Sequence, residues 1–133
     1  MKDSAKKASL NAYSPYSNIL VGASVLSGDG KIYSGCNVEN ISYGGTICAE
    51  RVAITKAISE GNRVIKKLAL YTKELWAPCG MCLQVMSEFM DPDSEVILFS
   101  DTKEIVLKFK ELMPRKCDLE TYTKLSKNDA KNL

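Results

Sequence analysis

The apolar positions of this chain fall in short runs whose period changes, and each change marks an element. Ala5, Ala8, Leu10 and Ala12 stand among polar residues over 3–12 and predict a helix, which Ser14-Pro15 stops. Ile19 to Ser27 and Lys31 to Val38 are apolar-rich runs around Gly28-Asp29-Gly30, a hairpin signal. Val52, Ala53, Ile54, Ala57 and Ile58 give helical spacing over 48–60, with Gly61-Asn62 as the stop. Lys67 to Thr72 reads as a buried strand. Leu83, Val85, Met86, Phe89 and Met90 place a helix over 79–90, ended by Asp91-Pro92. Glu95 to Ser100 and Glu104 to Lys108 read as strands, and Phe109 to Met113 as a short helical turn. The order α-β-β-α-β-α-β-β implies an α/β domain with a mixed sheet flanked by helices.

Composition changes this picture little. The length of 133 residues suits a single domain over 1–133, and 45% hydrophobic residues suffice for one core. A net charge of +2 gives little electrostatic reason to expect a nucleic-acid or membrane partner. Lysines gather at the ends, as Lys2, Lys6, Lys7 and as Lys124, Lys127, Lys131, and read as solvated faces. No apolar run is long enough to span a bilayer, and no hydrophobic signal core follows the N-terminal charges. Five cysteines without a secretory segment argue against a disulfide framework and for a reducing, cytoplasmic setting. The chain has no histidine, which removes imidazole-based nucleophile schemes and imidazole zinc ligands.

The chemistry concentrates in two clusters, Cys48-Ala49-Glu50 and Pro78-Cys79-Gly80-Met81-Cys82. Three thiolates leave one position of a tetrahedral zinc open, and an open position marks a catalytic site. A closed structural knot would take four protein ligands, and Cys36 and Cys117 lie outside the motif. Cys48 and the Cys79/Cys82 pair fall at predicted helix starts, where free N–H groups and the helix dipole favour thiolates. Glu50, two residues past the first thiol, can reach a water in the open position without ligating the metal. Zinc held by cysteines beside a non-ligand glutamate is the arrangement of zinc nucleobase deaminases.

The chain resembles the cytidine deaminase family in its small homotetrameric form, from about Asn11 to Pro114. Besides the cysteine motifs, the resemblance rests on Ala12-Tyr13-Ser14-Pro15-Tyr16-Ser17, Val21-Gly22-Ala23 and Gly35-Cys36-Asn37-Val38-Glu39-Asn40. Cys48-Ala49-Glu50-Arg51, Ser59-Glu60-Gly61 and Gln84-Val85 follow in the family's order. It implies a three-layer α-β-α fold with a five-stranded mixed sheet and one zinc per chain at two helix N-termini. It implies hydrolysis of cytidine and deoxycytidine to uridine and deoxyuridine with loss of ammonia, as in pyrimidine salvage.

The resemblance also assigns residues. Cys48, Cys79 and Cys82 would hold the metal and Glu50 would move the protons. Arg51 would donate to thiolate sulfurs and offset their charge. Asn37 and Glu39 would bind the ribose 3′-hydroxyl, for which an amide beside a carboxylate is suited. Backbone groups of Ala49 and Cys79 would read the pyrimidine edge, and Ala23 would lie close to the base. Tyr43 matches a tyrosine that reaches into a neighbouring subunit's site. Tyr16 either lines the pocket or supports it; Trp76 either walls it or packs at an interface. Gln84 and Cys36 read as structural.

Three departures bear on the pocket and its surroundings. Where the family has aromatics, this chain has Ile19 and Cys117, and an arginine after the second cysteine of the Pro-Cys motif is replaced by Leu83. A roomier pocket follows, suited to a modified or drug-like cytosine nucleoside (N4-substituted, or of the blasticidin S type), unless Trp76 or Tyr122 fills the space. The non-enzymatic alternative is an idle zinc module, against which the intact Glu50 speaks. A polynucleotide deaminase would need a basic, aromatic-rich channel, and 8% aromatics suggests none.

Overall fold

A computed structural model describes residues 1–120; Tyr122, Lys124, Lys127 and Lys131 lie outside the described residues. The elements are α1 (Lys2–Ser9), β1 (Gly22–Ser27), β2 (Ile32–Cys36), a 3-10 turn (Tyr43–Gly45), α2 (Ala49–Ser59) and β3 (Ile65–Tyr71). They continue with α3 (Gly80–Phe89), β4 (Met90–Phe99), β5 (Glu104–Lys108) and α4 (Phe109–Leu112). The sheet has five strands in the order β2-β1-β3-β4-β5. β1 pairs antiparallel with β2 and β3, β3 pairs parallel with β4, and β4 pairs antiparallel with β5. The mixed sheet expected from the sequence is therefore present.

Alternation along the strands sorts side chains onto two faces. Ala23 and Val25 of β1, Leu68 and Leu70 of β3, and Val96 and Leu98 of β4 point to one face. There they meet Ala53, Ile54 and Ala57 of α2, Met86 of α3 and Phe109 of α4. Ala69, Tyr71 and Phe99 point the other way and pack with Ala5 of α1. Helices thus cover both faces, giving the three-layer α-β-α architecture.

Glycine brings each covering helix close. A Cβ on Gly35 would stand 2.7 Å from the Ala53 nitrogen and 2.8 Å from the Ala49 carbonyl oxygen, so α2 lies directly on β2. A Cβ on Gly22 would stand 1.9 Å from the Ala5 carbonyl oxygen, so α1 lies directly on β1.

Several boundaries differ from the sequence expectation. α1 ends at Ser9, whose hydroxyl donates to the Lys6 carbonyl, before Pro15 is reached. β1 starts at Gly22 and not at Ile19, because Asn18 takes a left-handed φ of 60° and Asn37 binds the Ile19–Val21 backbone. β3 starts at Ile65, and β4 starts at Met90 with no gap after α3. Its irregular opening, where the β3–β4 register shifts, accommodates Pro92.

The fold is polarised along its strands. The start of β1 and the ends of β2 and β3 meet, since Gly22 pairs with both Cys36 and Tyr71. Phe99 joins that end through Tyr71. The Ser27–Lys31 turn lies at the opposite end, where the Gly28 N–H donates to the Val64 carbonyl. No helix among the described residues is long and apolar enough to cross a membrane.

Candidate metal centre and surrounding site

Two helix starts converge on one another. Cys48 is the N-cap of α2 and Cys79 the N-cap of α3, with Cys82 in the first turn of α3. Their sulfurs all lie within 4.8 Å of one another. Cys48 Sγ and Cys79 Sγ are 3.8 Å apart. Sulfurs sharing a tetrahedral zinc with bonds of ~2.3 Å would stand about 3.8 Å apart. The donor set therefore fits the metal, one per chain, and among the described residues no fourth cysteine or carboxylate joins the group. All five cysteines are free thiols.

Electrostatics distinguish the thiols. The Cys48 thiol is lowered to about 5, chiefly by a hydrogen bond from the Cys82 thiol and also by Arg51. Giving that hydrogen bond, and burial beside Glu50, push the Cys82 thiol up. The Arg51 guanidinium donates from Nη2 to Cys48 Sγ and to the Thr46 carbonyl, each at 3.5 Å. Its Nε is buried without a hydrogen-bond partner among the described residues. With zinc bound, the ion would offset two of the three thiolate charges, and the Arg51 guanidinium against Cys48 would offset the third.

Glu50 is only 3% exposed. Burial raises its pKa, the Cys48 charge adds to this, and Arg51 opposes it. A carboxyl tuned upward in a dry site is suited to taking and returning protons near neutral pH. Ala49, beside it at the start of α2, is fully buried. Its backbone N–H belongs to the first helical turn, where N–H groups lack helical partners.

The strand end after β2 is stitched to both neighbours. Val38 exchanges backbone hydrogen bonds with Ile47 at 2.9 and 3.0 Å. Glu39 and Cys48 are thus each one residue from this bridge, which brings the Asn37–Glu39 segment beside the cysteine cluster. Asn37 is buried; its Oδ1 accepts the Val21 N–H at 2.9 Å and its Nδ2 donates to the Ile19 carbonyl at 2.8 Å. Glu39 accepts from the Tyr16 and Ser17 N–H groups at 3.1 and 3.0 Å, and from the Ser17 hydroxyl. Both residues hold the loop before β1, a role that sequence reasoning missed.

The other expected residues are distributed as follows. Tyr16 and Tyr43 stack edge to face with centroids 6.1 Å apart and line a cavity of about 330 Å³ with Ser17, Glu39, Asn40 and Thr46. Tyr43 is 78% exposed. Ala23 is fully buried in the core under β1. Ile19 lines a different cavity, of about 750 Å³, between α1 and the end of β3. Trp76 is half exposed, in a turn where its backbone N–H donates to the Thr72 hydroxyl at 2.8 Å. The preceding Leu75 has a left-handed φ of 58°. Cys117 is exposed, and its carbonyl accepts from Gln84 Nε2 at 2.9 Å. Cys36 closes β2, half-buried.

The chain is similar to known proteins. Residues 1–99 match the family described as the cytidine and deoxycytidylate deaminase zinc-binding region. A cytidine deaminase of Halalkalibacterium halodurans is 45% identical over 115 residues, covering 83% of this chain and 86% of that protein. One of Sporosarcina psychrophila is 49% identical over 96 residues, 71% of each chain. The crystal structure of cytidine deaminase from Burkholderia pseudomallei superposes with a TM-score of 0.83 at 40% identity, covering 87% of this chain and 95% of that one. With the family matched over most of the chain and its three thiols gathered at two helix starts, the chain belongs to the zinc-binding cytidine and deoxycytidylate deaminase family.

Proposed function

We propose that the protein is a zinc-dependent hydrolase that converts cytidine and deoxycytidine to uridine and deoxyuridine with release of ammonia. One observation carries this: Cys48, Cys79 and Cys82 sulfurs within 4.8 Å of one another, with the buried Glu50 two residues past Cys48. Cys48, Cys79 and Cys82 hold the metal. When bound, zinc supplies the Lewis acidity that makes a water nucleophilic near neutral pH. Glu50 would take one proton from the attacking water and pass it to the ring nitrogen, then take the second from the hydroxyl added at C4 and deliver it to the departing amino group. One C–O bond forms at C4, one C–N bond breaks, and water is consumed as ammonia leaves.

The remaining residues bind and exclude. Arg51 keeps the thiolate cluster neutral in sum. Backbone groups of Ala49 and Cys79 take the pyrimidine edge, with Ala23 close to the base. Asn37 and Glu39 take the sugar 3′-hydroxyl. Tyr16, Ile19, Trp76 and Cys117 border the pocket of this copy or of a neighbour. A single domain over 1–133 forms a homotetramer with shared sites, Tyr43 crossing between subunits. The exposed Ile41, Tyr43 and Met81 support this, since such apolar surface favours a covering copy. Five free thiols support a reducing, cytoplasmic setting.

The test is direct. Purified protein with about one zinc per chain is given cytidine and deoxycytidine, and uridine products and ammonia are quantified. Equimolar uridine and ammonia are expected. Active protein without zinc, or zinc-loaded protein that releases ammonia from neither nucleoside, overturns the reading.

A further inference from the structure

Ser17 lies on the loop between α1 and β1, far in sequence from the metal cluster. Its hydroxyl donates to Glu39 Oε2. Its N–H donates to Glu39 Oε1 at 3.0 Å, beside the Tyr16 N–H at 3.1 Å. The same hydroxyl oxygen accepts the Ile19 N–H at 3.1 Å. Ser17 is therefore held from both sides and in turn holds the carboxylate.

A carboxylate offers about four acceptor positions, two on each oxygen. Three donors from Tyr16 and Ser17 use both positions of Oε1 and one of Oε2. One position on Oε2 is left. The Ser17 hydroxyl and N–H, with the Tyr16 N–H, also hold the Glu39 pKa below the ordinary carboxylate value, so the group is an acceptor only. Ser17, Glu39, Tyr16, Tyr43 and Thr46 line one cavity, and the Thr46 carbonyl is a contact of Arg51. The free acceptor position thus belongs to the same neighbourhood as the cysteines.

We propose that Ser17 is a positioning residue for sugar recognition. It fixes Glu39 so that a single acceptor position on Oε2 receives one hydroxyl of a nucleoside sugar. This rests on the reading of the site as one that takes cytosine nucleosides. A carboxylate with one open position takes one donor, and it loses its orientation when the Ser17 hydroxyl is removed.

The experiment compares steady-state kinetics of wild type, Ser17→Ala and Ser17→Thr with cytidine and with 3′-deoxycytidine. Ser17→Ala is expected to raise the KM for cytidine about tenfold, the size of one charge-assisted hydrogen bond. Ser17→Thr, which keeps the hydroxyl, is expected to restore it. With 3′-deoxycytidine, wild type and Ser17→Ala are expected to share one KM. In a Glu39→Gln background Ser17→Ala is expected to add nothing. Ser17→Gly serves as companion variant should the alanine form fail to fold. A KM increase equal for both nucleosides would mean that Ser17 only shapes the loop, and overturns the proposal alone. An unchanged KM for cytidine does the same. A wild type that deaminates neither nucleoside overturns the nucleoside reading, and this one with it.

Discussion

Arg51 Nη2 stands 3.5 Å from Cys48 Sγ, three residues away on the same helical start. The side chain folds back over its own N-cap, and its buried Nε has no hydrogen-bond partner among the described residues. A cation is thereby built into the protein beside three thiols. Replacing it with Gln removes the charge while keeping an N–H donor. Zinc affinity of Arg51→Gln is expected to fall about 10- to 100-fold, the usual effect of losing a partner behind the ligands. Chelator competition measures it; an affinity equal to wild type would refute the role.

Glu50→Gln preserves size and burial but cannot hold a transferable proton. Turnover is expected to fall by about 10²–10⁴, while zinc content and the melting curve stay near wild type. Near-normal turnover in this variant would remove Glu50 from the proton path.

Gly35 has no room for a side chain. Gly35→Ala would press a Cβ against the Ala53 nitrogen and the Val52 Cβ, at 2.7 and 2.8 Å, so α2 must shift as a body. That helix starts with Cys48, Glu50 and Arg51. A loss of about 1–3 kcal/mol in stability is expected, together with weaker zinc retention. Denaturant unfolding and metal analysis on the same sample report both. A variant as stable and as zinc-replete as wild type would show that α2 need not sit so close.

Glu39 supplies a pH prediction. Its folded pKa is lowered from 4.5 by the Ser17 hydroxyl first, then by the Ser17 N–H and the Tyr16 N–H. A depressed carboxylate stabilises the fold above its unfolded pKa, and that contribution is lost as pH falls through the folded value. The loop clamp should therefore be complete above pH about 4.5 and release only in stronger acid. Carboxyl NMR titration of wild type and Ser17→Ala checks it. The Glu39 midpoint is expected to move up in the variant; an identical midpoint would contradict the assignment of cause.

Much of the site was legible because its chemistry is local. Cys48, Glu50, Cys79 and Cys82 sit at element starts that periodicity alone locates, and helix starts favour anions wherever they occur. The strand faces were legible for the same reason: Leu68 and Leu70 alternate with Ala69 and Tyr71. The rest depends on contacts between distant residues. Nothing in Asn37 or Glu39 announces that Ile19, Val21 and Ser17 will be their partners, because those hydrogen bonds span 16 to 22 residues. Nothing in Gly35 announces α2. The start of β4 was missed because Pro92 argues against a strand, and the irregular pairing that tolerates it is a tertiary feature.

The separation of the sheet's two ends has a practical side. Gly30 and Gly61 both take left-handed φ values, 87° and 92°, and a Cβ on either would meet nothing. Gly30 belongs to the turn remote from the cysteines, and the Gly28 N–H ties that turn to Val64. Exposed tips of this kind accept grafted sequence with little penalty. A short epitope or a fluorophore-bearing tag spliced at Gly30 would ride at the far pole of the molecule. It would leave a label for single-molecule or pull-down work without trespassing on the working end.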